Sequence, residues 1–109
     1  MGGALIVSYE NNLYYNPEAS GYEILEVINL DNEPWQFDML VVWRDPDGYA
    51  VWSTDSGCSC PAPFELLEPD DLEPFNYKEI ESLVRGRVGT NGPLAMEAED
   101  KLARLRKVK

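Results

Sequence analysis

Asp45-Pro46-Asp47-Gly48 lies between two runs that alternate apolar and polar residues, and it constrains this chain more than any other four residues. Asp at the first position can accept from backbone N–H groups, Pro presets φ, and Gly tolerates the positive φ of a left-handed residue. The tetrapeptide therefore predicts a β-hairpin with a three-residue Pro46-Asp47-Gly48 loop. That loop length sets a register: Asp45 opposite Tyr49, Trp43 opposite Val51, and Val42 opposite Trp52. The preceding strand is read as Gln36 to Arg44, with Phe37, Met39, Val41 and Trp43 on one face at period two. Leu40, Val42 and Trp52 share the other face, so both faces are expected to be covered. The second strand is read as Tyr49 to Thr54.

Upstream, Leu5 to Tyr9 reads as a short β-branched and aromatic strand, and Tyr14-Tyr15-Asn16-Pro17 with Ser20-Gly21 as a turn-rich connection. Tyr22 to Leu30 reads as a strand with Ile24, Ile28 and Leu30 on one side and Leu25 and Val27 on the other. Asp31-Asn32-Glu33-Pro34 is a turn. Downstream, the proline-punctuated Glu68 to Pro74 segment permits short turns alone. A helix is expected from an Asn76 cap, with Tyr77, Ile80, Leu83 and Val84 as its apolar stripe and Gly86 as its end. A second follows Asn91-Gly92 with Pro93 at its first position and Leu94, Ala98, Leu102 and Leu105 inward. Glu97–Lys101 and Asp100–Arg104 are its i, i+4 pairs.

The expected fold class is α+β: an antiparallel meander of three to four strands, then two C-terminal helices. At 109 residues and 44% hydrophobic composition the chain suits one modest core. Residues 1–90 are read as a single domain and 91–109 as a C-terminal helix, docked or partly free and able to join a homo-oligomer.

Several function classes are hard to build from these residues. The chain has no histidine, which removes Ser-His-Asp and Cys-His nucleophile pairs and histidine-containing zinc sites. Cys58 and Cys60 are too close to staple distant segments. No apolar run is long enough to span a membrane, and Met1 to Val7 lacks the flank and length of a secretion signal, so a cytoplasmic location is expected. The net charge is −11, and residues 1–96 carry four cations against seventeen carboxylates, a net of −13. Such a field repels nucleic acid and anionic membrane and raises the rate of meeting a cationic protein surface. Glu68, Asp70, Asp71 and Glu73 lie in the densest acidic stretch. Tyr14, Tyr15, Trp35 and Tyr49 are candidates for an exposed aromatic patch.

The segment from Trp52 to Glu65 is the least ordinary in the chain, rich in small residues, Cys and Pro. Its candidate ligand- or partner-binding residues are Trp52, Asp55, Ser56, Gly57, Cys58, Ser59, Cys60, Phe64 and Glu65. Two thiolates leave zinc half coordinated unless Asp55 and another carboxylate join, or two chains share a site, so Cys58, Cys60 and Asp55 are weak metal candidates and no cofactor is expected. Nearby carboxylates also raise a thiol's pKa and work against a reactive cysteine.

The motif Asp55-Ser56-Gly57-Cys58-Ser59-Cys60-Pro61-Ala62-Pro63-Phe64-Glu65, with Tyr15-Asn16-Pro17-Glu18 and Phe37-Asp38-Met39-Leu40-Val41-Val42-Trp43 before it, resembles small uncharacterised proteins encoded by phages of actinobacteria. The resemblance spans roughly residues 14 to 73. It implies a phage origin and a folded unit, and it transfers no catalytic role. The expectation is a non-enzymatic interaction protein that binds a basic host protein in the host cytoplasm through its acidic surface. Host takeover or defence inhibition, with nucleic-acid mimicry as one route, would be its purpose. The alternatives are a small-ligand-binding or sequestering protein that uses the Asp55–Glu65 loop, and a zinc-stabilised module.

Overall fold

The computed structural model describes residues 12–31, 36–58 and 69–108. Four strands, β1 (Glu23–Asn29), β2 (Gln36–Arg44), β3 (Ala50–Cys58) and β4 (Glu73–Pro74), form one antiparallel sheet in chain order. Two helices, α1 (Tyr77–Val88) and α2 (Pro93–Leu105), follow. The α+β meander with two C-terminal helices is therefore the observed architecture. The strand read at Leu5 to Tyr9 lies outside the described residues.

The β2–β3 hairpin closes as its turn chemistry dictates. Asp45 N donates to Tyr49 O at 2.8 Å, and Gly48 N to Asp45 O at 2.9 Å. The Asp45 carboxylate accepts from Asp47 N at 2.9 Å and Tyr49 N at 2.8 Å, while Gly48 takes φ 91°. Trp43 consequently pairs with Val51 and Val42 with Trp52. β3 runs on past Thr54 to Cys58, so Asp55, Ser56 and Gly57 belong to a strand and not to a loop. β2 extends back to Gln36, and its backbone groups need partners along their whole length; that pairing outweighs the weak strand preference of Asp, Ser and Gly.

The central strand is covered on both sides. Ile28, Leu30, Leu40, Val42 and Trp52 face the helices and form a core with Ile80, Val84, Ala98, Leu102 and Leu105. Met39, Val41 and Trp43 face the other way and meet Leu13, with Tyr22, Ile24, Val27, Phe37, Val51 and Leu72 around them. Leu13 reaches that face because the buried Asn12 side chain accepts from Tyr14 N and Tyr15 N, both at 2.8 Å, folding the chain into a tight turn. Gly21 then adopts φ 80° where the chain passes Pro46; a Cβ there would sit 3.1 Å from the proline ring.

β1 departs from the simple alternation expected of it. Ile24 pairs with Trp43 and Glu26 with Val42, so Leu25 is the extra residue of a bulge. Leu25 joins the helix-side core beside Ile28 and Leu30, and Ile24 and Val27 fall on the opposite face. Glu26 also turns toward the helices, where Arg104 Nε donates to it at 2.8 Å. Arg104 thus pairs across elements and not with Asp100, because a carboxylate that is 12% exposed gains more from a cation than one already in water.

α1 is capped by Asn76, whose side chain accepts from Glu79 N at 3.1 Å. It continues through Gly86 to Val88, which packs on the core, and ends where Gly89 takes φ 75° and donates to Arg85 O. Gly86 is exposed and tolerated within the helix, so the stop lies three residues later than the glycine pattern suggests. α2 starts at Pro93 as expected and places Ala98, Leu102 and Leu105 in the core; Ala95 is buried too, whereas Leu94, expected inward, is half-buried. Arg85 ties the helices together, donating through Nε and Nη2 to Glu99 at 2.8 Å each and pairing with Glu81 at 3.0 Å. Lys101 pairs with Glu97 at 3.6 Å and donates to Val27 O at 2.6 Å, covering one free carbonyl of the edge strand. No helix among the described residues is long and apolar enough to cross a membrane.

Two measurements check this account. In urea denaturation Gly86→Ala should stabilise the protein by about 0.5–1 kcal/mol, since the site is helical and open. Gly89→Ala should destabilise it by about 1 kcal/mol, since φ is positive there. The hydrogen bonds from Arg85 hold the Glu99 carboxyl below its ordinary 4.5. Its contribution to stability is therefore present above that value and lost as pH falls through the lowered one. Acid unfolding of Glu99→Gln should show a shallower pH dependence below about 4.5 than the unchanged protein.

Candidate interaction surface

β4 is two residues long and pairs along the outer edge of β3. Val51 pairs with Pro74 and Trp52 with Glu73. Phe75 N donates to Ala50 O at 3.0 Å, and the Trp52 indole N–H donates to Pro74 O at 3.1 Å. Reading back from Glu73, the antiparallel register carries the chain along β3 toward Ser53, and Leu72, which follows the 3-10 turn Pro69–Asp71, packs on the face that holds Trp43 and Val51. Asp70, in that turn, lies within electrostatic reach of the Tyr22 phenol, as Asp45 and Asp47 do.

Tyr22 feels all three aspartates. Partial burial pushes its phenol above the ordinary 10.0, and the carboxylates of Asp45, Asp47 and Asp70 push it further, because each disfavours a phenolate nearby. Asp47, Asp70, Asp71 and Glu73 are exposed. Among the described residues no cation pairs with Asp45, Asp47, Asp70 or Glu73. Arg44, their neighbour in sequence, donates instead to Gly48 O at 2.9 Å. Tyr49 at the hairpin is 70% exposed, and Tyr15 is 55% exposed with its ring set edge-on to Tyr14 at 5.2 Å.

The cations lie elsewhere. Residues 1–77 hold one cation, Arg44, against fifteen carboxylates, a net of −14. Residues 78–109 hold eight cations against five carboxylates, a net of +3. Several of the helical cations are engaged in ion pairs: Arg104 with Glu26, Arg87 with Asp38, Arg85 with Glu81 and Glu99, and Lys101 with Glu97. Arg106 lies over the Tyr77 ring, 5.6 Å from its centre. The hairpin end is left with little to offset its charge.

The residues singled out between Trp52 and Glu65 meet different fates. Trp52 is buried as a core side chain. Asp55 is half-buried in β3 and accepts from Ser56 N at 3.0 Å; Ser56 is exposed opposite Asp38, and Gly57 lies opposite Phe37. Cys58 ends the strand opposite Gln36. The Cys58 side chain, Ser59, Cys60, Phe64, Glu65 and Glu68 lie outside the described residues, as does Trp35. Among the described residues no three Cys, Asp or Glu side chains gather in a way that can hold a metal ion. Reading by sequence missed the effect of Asp45, Asp47 and Asp70 on the Tyr22 phenol. Its one trace was the recurrence of paired acids, Asp45-x-Asp47 and Asp70-Asp71, each just before a strand.

These features define a small α+β module whose sheet is buried on both faces and whose hairpin end is acidic and tyrosine-bearing. Residues 11–109 match the family described as Domain of unknown function (DUF7574), and the chain belongs to that family. No curated protein and no solved structure gives a significant match to it.

The electrostatic coupling at this end is open to direct titration. Phenol absorbance should contain a component, lost in Tyr22→Phe, with a midpoint above 10.0. In Asp45→Asn and Asp70→Asn that midpoint should move down, since each removes a charge that opposes ionisation. An unchanged midpoint in both would mean that the aspartates do not surround the phenol.

Proposed function

We propose that this chain is a non-enzymatic, phage-encoded interaction protein that docks onto a basic surface of a host protein, in the host cytoplasm, through its acidic hairpin end. The observation that carries this reading is the separation of charge between the strand-bearing part of the chain and its helices. A field of one sign over one end of a small domain speeds encounter with a cationic surface and opposes unrelated acidic partners. Tyr49, exposed beside the hairpin turn, supplies amphipathic contact area of the kind that interfaces favour. A host factor that itself binds nucleic acid offers a suitable basic surface, and the module would then act by resembling nucleic acid in charge. The phage origin rests on the resemblance of the Asp55–Glu65 motif and the segments before it.

The test is capture from a lysate of the host with the immobilised full chain, at salt from about 0.05 M to about 0.5 M, where screening shortens from roughly 14 Å to roughly 4 Å. One or a few basic proteins should be retained at low salt and released as salt rises. The triple variant Asp45→Asn, Asp47→Asn, Asp70→Asn should retain at least tenfold less of them while keeping its fold, as judged by its circular dichroism. Equal retention by that variant, or capture indifferent to salt, would sink the proposal.

A further inference from the structure

We draw no further inference here: the strongest candidate outside the hairpin end, the outer edge of β3 from Ser53 to Cys58 beyond its short pairing with β4, carries nothing because nothing among the described residues shows what covers it.

Discussion

Trp43 is completely buried in the central strand, and its indole N–H donates to Leu13 O at 2.8 Å across the face of the sheet that the helices do not cover. Much of the remaining architecture can be traced from that contact. Met39 to Trp43 are five consecutive residues with almost no exposure, so β2 needs an apolar layer on each side. α1 and α2 form one layer. On the other side the layer is irregular, made by Leu13, Tyr14 and Tyr22 and held in place by the Asn12 turn and the Trp43 hydrogen bond. A tryptophan suits this position because it fills a wide gap and still satisfies a carbonyl that would otherwise lie buried without a donor.

Two-sided burial also governs where the charges go. Glu26 and Asp38 are strand carboxylates on the helix side, each 12% exposed, and a carboxylate so placed is costly unless a cation accompanies it. α2 supplies Arg104 for the first and α1 supplies Arg87 for the second. These pairs join each helix to the sheet and direct two exposed guanidinium groups toward nearly buried carboxylates. The acidity of the hairpin end thus follows partly from core construction, since positive charge is drawn to the sheet–helix seam while the turn carboxylates remain in water.

What could be read from the sequence was what depends on neighbours along the chain. Period two across Phe37 to Trp43, the turn residues Asp45 to Gly48, the Asn76 cap and Pro93 at a helix start are local signals, and each has a local physical cause. The hairpin register followed because a loop of fixed length leaves one pairing. The bulge at Leu25 was hidden because Ile24, Leu25 and Val27 are all apolar, and an apolar pattern cannot say which residue is the extra one. β3 was read too short because Asp55, Ser56 and Gly57 are poor strand formers held there by the waiting backbone of β2. Gly86 looked like a helix end because its partner in the decision, Val88 on the core, is a tertiary contact. The effect of Asp70 on Tyr22 is a long-range one, and the strand that follows it, β4, consists of Glu73 and Pro74, which carry no strand signal at all.

The three aspartates that act on Tyr22 do not play equal parts. Asp45 accepts two backbone N–H groups, which fixes its carboxylate and offsets some of its charge, so its first duty is to the turn. Asp47 and Asp70 are exposed and bear the field outward. Asparagine at position 45 keeps the accepting oxygen and removes the charge, whereas alanine would remove both and loosen the hairpin on which the register of the whole sheet depends. A partner that senses the charge is therefore separable from one that senses the shape of the turn, and the distinction rests on a single oxygen atom that folding and recognition both use.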